Sequence, residues 1–157
     1  MTASISACTN EADRTESSSA DSAPCRAPTS DELGATDTTE LVLVGVSRAQ
    51  ANDLRCGPPN DQVRICRALF LLATLDPALH LDQEPLRQRV GDALLWALRD
   101  AEAVASPPLV DALGILQAAT RTLTTSTDEP TLSDALALRV QPEVTHTIDD
   151  YWSTQCS

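Results

Sequence analysis

Residues 82–104 read DQEPLRQRVGDALLWALRDAEAV, and this stretch decides the fold. Leu86, Val90, Ala93, Leu94, Ala97, Leu98, Ala101 and Val104 recur at the three- and four-residue spacing of a single helical face. Arg87, Gln88, Asp92, Arg99, Asp100 and Glu102 occupy much of the remaining surface. Asp82 has the side chain of an N-cap, Glu84 places negative charge in the first turn, and Pro85 suits a first helical turn. Gly91 costs such a helix about 1 kcal/mol relative to alanine. Its place in the stripe suits the close approach of a neighbouring helix.

The pattern continues on both sides. Downstream, Ser106-Pro107-Pro108 ends one helix and can start the next, whose stripe is Leu109, Ala112, Leu113, Leu116, Ala119, Thr120 and Leu123. So short a connection implies an antiparallel hairpin. The polar loop Thr124–Pro130 follows, then a short helix starting at Thr131 or Ser133 and closed by Pro142. Upstream, Asn60 or Asp61 can cap a helix that reaches Leu75, with Val63, Cys66, Leu69, Phe70 and Ala73 on its stripe. Glu40–Val46 fits a buried strand or the start of a helix, and Gly45 favours the strand. Ser47 and Gln50 have capping-box spacing, which sets a short helix over 48–55. Cys56-Gly57-Pro58-Pro59 would end it.

Composition agrees with helices. Phe70, Trp96, Tyr151 and Trp152 are the only aromatic residues, so the core must be built from Leu, Ala and Val. The expected fold is mainly α: a small three- to four-helix bundle over 40–142, with room for one short strand at 41–46. Residues 1–39 are rich in Ser, Thr and acids and have no apolar period, which predicts a disordered acidic leader. Residues 143–157 form an acidic-aromatic tail.

The net charge is −12, and no lysine is present. Residues 1–40 carry eight acids against two arginines, 41–142 twelve against nine, and 143–157 three acids and no base. The absence of lysine fits a GC-rich coding sequence better than salt adaptation, which would spread acids over the folded middle. A phosphate-binding surface needs clustered bases, so the charge argues against nucleic acid and against an anionic membrane surface. The apolar runs are too short to span a bilayer. No secretory leader is legible, and the seven residues before Cys8 are too few to make it a lipid-anchoring site. The expected setting is therefore intracellular.

Cys8, Cys25, Cys56, Cys66 and Cys156 are odd in number and form no C-x-x-C. Reduced thiols are the expectation, with Cys66 acting as a small hydrophobe on its helix. Cys56, Cys66, His80, His146 and Cys156 lack the close pairs of a structural zinc site, so no metal and no cofactor is expected. No G-x-S-x-G occurs, and neither Asp128-Glu129 nor Asp149-Asp150 lies in a segment that would bury a carboxyl group. No catalytic residue is assigned.

The candidate site residues are Asp149, Asp150, Tyr151 and Trp152 in the tail, and Trp96 on the shoulder of the second helix. Aromatics beside acids suit a recognition segment, with the rings as anchors and the charges steering approach. Three competing arrangements exist for the tail: free in solution, folded back with Trp152 over the core, or paired as a strand with 41–46. The expected function is that of a non-enzymatic adaptor or regulatory protein that binds another protein through a bundle face or the tail. The second reading is a helix-turn-helix regulator, against which stands a third helix whose only base is Arg121. The third is a cysteine-dependent enzyme or metal protein.

Overall fold

The computed structural model describes residues 39–80 and 83–157. Residues 1–38 of the expected leader and Asp82 lie outside the described residues; Thr39, the last residue assigned to the leader, is helical, and the N-cap position of the helix that opens at Glu84 is Gln83, which makes no side-chain cap bond, rather than Asp82. Among those described, the chain is helical and has no strand. The elements are α1 (Thr39–Cys56), α2 (Asp61–Leu75), a 3-10 turn (Asp76–His80), α3 (Glu84–Glu102), α4 (Leu109–Thr125), α5 (Glu129–Arg139), α6 (Pro142–Tyr151) and a π-helical turn (Trp152–Cys156).

α3 and α4 form the expected hairpin at the centre. α2 packs on α3, α5 and α6 pack on α4, and α1 lies against α2 and α3. The stripes read from sequence on α3 and α4 face inward: Leu94, Leu98 and Leu113 are fully buried. On α2 the inward face is rotated from the expected one: Ile65, Ala68, Leu69, Leu71 and Leu75 are buried, whereas Val63, Cys66 and Phe70 are partly open and Ala73 is exposed. Gly91 sits where α4 comes closest. A Cβ placed there would lie 1.9 Å from Cγ2 of Thr124, so the missing side chain is what admits the neighbour.

The strand expected as an option at 41–46 is absent, and so is the helix start at 48. α1 runs unbroken through both. Its buried residues are Val42, Leu43, Gly45, Val46 and Ala49, a helical rather than an alternating set. Ser47 does not cap; its hydroxyl donates to the Leu43 carbonyl one turn back, at 3.1 Å. Burial of Val42 and Val46 on one helical face, with Val44 left exposed, outweighs the local preference of valine for a strand. Gly57, in the left-handed region at φ 82°, closes α1 by donating its N–H to the Asp53 carbonyl at 2.9 Å.

Two helix starts follow side-chain capping chemistry. Asn60 caps α2 by accepting from the Val63 N–H at 2.9 Å, as expected. α5 is capped by Asp128, not by Thr131 or Ser133: its carboxylate accepts from the Thr131 N–H and hydroxyl. Those two bonds, hydroxyl first, hold the Asp128 carboxyl below its ordinary pKa. The cap is therefore at full strength above the ordinary carboxylate range and weakens as pH falls through the depressed value.

Two predictions test the packing. Leu94→Ala should destabilise the protein by about 2–5 kcal/mol, whereas Arg99→Ala on the exposed face should stay within about 0.5 kcal/mol; equal losses in denaturant unfolding would refute the assignment of faces. Gly91→Ala should lower the melting temperature, because forced contact costs about 1–3 kcal/mol against about 1 kcal/mol of helix propensity gained. Adding Thr124→Ser removes the obstructing methyl but keeps the hydroxyl that bonds Thr120 and Arg121, so the double variant should regain most of the loss.

Candidate interaction site

Pro142 opens α6 in its first turn, and Val144, Ile148 and Tyr151 recur at helical spacing on its inner face. The apparent alternation of Val144, His146 and Ile148 is thus not a strand: His146 is exposed while Val144 is 2 % exposed. The tail folds back on the body. Cys156 is disulfide-bonded to Cys66 of α2, with Cα atoms 5.5 Å apart and a sequence separation of 90. Gln62 Nε2 adds a hydrogen bond to the Gln155 carbonyl. This corrects the expectation of reduced thiols, and Cys56 is disulfide-bonded as well. Spacing alone could not reveal the link, because only the docking of α6 brings the two cysteines together.

The returning segment forms one wall of a cleft of about 470 Å³. Ile148, Asp149 and Trp152 face Leu69, Leu72 and Ala73 of α2, with Leu116 of α4 between them. Asp76, Pro77, Arg139 and Val140 complete the rim. Leu69 and Leu116 are buried, whereas Ile148, Leu72 and Trp152 are partly open, so the cleft has an apolar floor. Val140, 70 % exposed, carries the apolar surface outward past the end of α5.

Arg139 fixes this rim. Its side chain is only 6 % exposed. One Nη donates to the Thr120 hydroxyl at 3.3 Å and the other to the Asp76 carboxylate, so α5 is tied to α4 and to the end of α2. Burial lowers its pKa, the opposing pull of Asp76 being the smaller effect. A guanidinium remains protonated through such a shift. The other Asp76 oxygen lies 3.7 Å from His80 Nε2.

Trp96 lies elsewhere, against a different face of α2. The guanidinium of Arg67 sits 4.6 Å from its ring centroid. That guanidinium is 1 % exposed and bonds Asp53 of α1 and Asp100 of α3, each at 2.9 Å. Arg64 donates Nε and Nη2 to the second Asp100 oxygen at 3.0 and 2.6 Å. The bond to Asp100 is the chief reason the Arg64 pKa is raised. A shallow groove of about 450 Å³ runs past Trp96, Leu95, Arg99 and Asp92. Trp96 is therefore a platform in a charge cluster joining three helices.

The expected site residues thus divide. Asp149 and Trp152 share the cleft, Asp150 is exposed beside it, Tyr151 packs inward near Asp61, and Trp96 is remote. Arg139, Asp76 and Val140 are not among the residues that the sequence singles out. The available signal is Arg139 itself, a lone base between Leu138 and Val140 with no other cation after Arg121. Among the described residues, no three His, Cys, Asp or Glu side chains gather as metal ligands would. No helix among them is long and apolar enough to cross a membrane. Comparison with protein-family models, curated proteins and solved structures finds no match.

Tyr151 offers a direct test of tail docking. Desolvation raises its pKa above the ordinary 10, and the negative charge of Asp61 adds to the shift. It is the only tyrosine, so ultraviolet absorbance reads its titration alone. The midpoint should lie above that of a free tyrosine and move down in Asp61→Asn. An ordinary midpoint in the native protein would mean that the segment is undocked in solution.

Proposed function

We propose that the protein is a non-enzymatic adaptor or regulatory module that binds a partner protein in the cleft bounded by α2, α4, α5 and the C-terminal segment. The observation that carries this reading is the cleft's construction. Its apolar floor ends in Trp152 on one side and in the exposed Val140 on the other. The partner fitted to it presents a bulky apolar side chain from a short segment. Asp149 and Asp150 stand exposed at the wall, and the one base on the rim, Arg139, is already engaged by Asp76. The field is thus acidic, and bases beside the apolar anchor would be steered towards it.

The same observations move the tail from a free recognition segment to one wall of a cleft. They also favour this reading over a helix-turn-helix regulator. α4 is enclosed by α3, α5 and α6, and its exposed positions include Asp111, Ala118 and Arg121, a poor surface for phosphate.

Val140→Arg tests the proposal with little risk to folding, because the side chain is mostly in water. Partner capture should be lost while helicity and melting stay unchanged. Asp149→Asn with Asp150→Asn should slow association and reduce its salt dependence. If both variants capture the partner normally while Arg99→Glu does not, the binding surface is the groove at Trp96.

A further inference from the structure

We propose that the Cys66–Cys156 disulfide is a redox latch on the cleft: reduction frees the segment from Trp152 onward and takes Trp152 out of the wall of the site, while the helical body stays folded. The inference rests on the binding role proposed for the cleft and supplies its regulation.

The two ends of the latch are held very differently. Cys66 lies on α2, whose Ile65, Ala68, Leu69, Leu71 and Leu75 are buried in the core. Cys156 lies on a five-residue π-helical turn with no buried residue. Such turns are rare and form mostly inside longer helices, so one at the end of a helix needs support from elsewhere. The support present is the disulfide, the bond from Gln62 to the Gln155 carbonyl, and the partial burial of Trp152. The hydroxyls of Ser153 and Thr154 donate to the Asp150 carbonyl at the end of α6 and that of Ser157 to the Ser153 carbonyl, so these bonds add no tie to α2. Upstream, α6 has an anchor of its own in the buried Val144. The boundary between what is released and what stays therefore falls between Ile148 and Trp152.

Access to the sulfurs agrees. Both cysteines are partly exposed, so a thiolate can approach from solvent. A dithiol reductant supplies the electrons. Its thiolate attacks one sulfur, the Sγ–Sγ bond breaks and a mixed disulfide forms. The second reductant thiol displaces it, leaving two protein thiols and an oxidised reductant. Two electrons and two protons pass to the protein.

Trp152 is the one residue that belongs both to the latch segment and to the cleft wall. Its departure opens the side of the cleft facing Leu69 and Leu72 and takes away the largest apolar contact available to a partner. The latched form is then the binding form.

Hydrogen exchange with mass spectrometry on the full chain tests this, with and without a dithiol reductant. Amides over 152–157 should lose protection on reduction while those of α2, α3 and α4 keep theirs. Because Cys56 is disulfide-bonded too, Cys66→Ser with Cys156→Ser isolates the latch and should reproduce the loss without reductant. Retained protection at the C-terminal turn overturns the proposal. So does loss of protection throughout α2–α4, which would make the disulfide a structural staple; a chain ended at Tyr151 that fails to fold overturns it in the same way. Partner capture is read separately. If the segment is released but capture is unchanged, the latch stands and the cleft is not the binding site.

Discussion

The close approach of α3 and α4 is the constraint on which the rest of the molecule depends. A core with one phenylalanine and two tryptophans cannot fill wide gaps between helices. It is built instead from leucines set among small residues: Ala93, Ala97 and Ala101 on α3, and Ala112 and Ala119 on α4, are all buried. Gly91 extends this to its limit by letting Thr124 occupy the space of a side chain. Dense interiors of this kind tolerate little change in volume, so the position of the hairpin determines where every outer helix can sit. α2 takes the surface that α3 offers, α5 and α6 take that of α4, and the cleft is the space between these outer helices.

Two buried guanidiniums then fix the outer helices to the hairpin. Arg67 joins α1, α2 and α3 through Asp53 and Asp100 and lies over Trp96. Arg139 joins α5 to α4 and to the end of α2. Burying a charge is unfavourable unless it is paired, so neither arginine adds stability in proportion to its contacts. Their effect is on specificity. A helix shifted by one residue would strand an unpaired charge in a dry interior, at a cost of several kcal/mol. Arginine suits this work because its planar fork can bond two carboxylates and still lie flat over a ring, which a lysine ammonium cannot do.

The legible and illegible parts of the sequence differ in range. Stripes on α3 and α4 are plain, because burial on a single face repeats every three or four residues and Leu94, Leu98 and Leu113 obey it; α2 is apolar on so much of its surface that its sequence does not single out the buried face of Ile65, Ala68, Leu71 and Leu75. Asn60 and the Gly57 stop are plain for the same reason: capping chemistry is local. α1 is ambiguous in isolation because Val42, Val44 and Val46 mimic a strand when taken alone, and only the neighbours α2 and α3 show which residues are inside. The C-terminal residues stand out by composition, but their arrangement depends on Cys66, 90 residues away. Arg139 and Val140 are consecutive, yet one is buried and the other 70 % exposed, a difference that belongs to the packing of α5 and not to either residue type.

The long reach of that disulfide also bears on how the chain is made. Cys66 leaves the ribosome 90 residues before its partner, an interval of roughly 5–20 s at about 5–20 residues per second. Cys8, Cys25 and Cys56 emerge ahead of it, so Cys66 meets three earlier thiols before its own partner is made. The order of synthesis thus opposes the native connection. Native pairing needs the Cys66 thiol to stay out of other disulfides until the docking of α6 delivers Cys156. For this protein, the timing of oxidation during biosynthesis is as consequential as its extent.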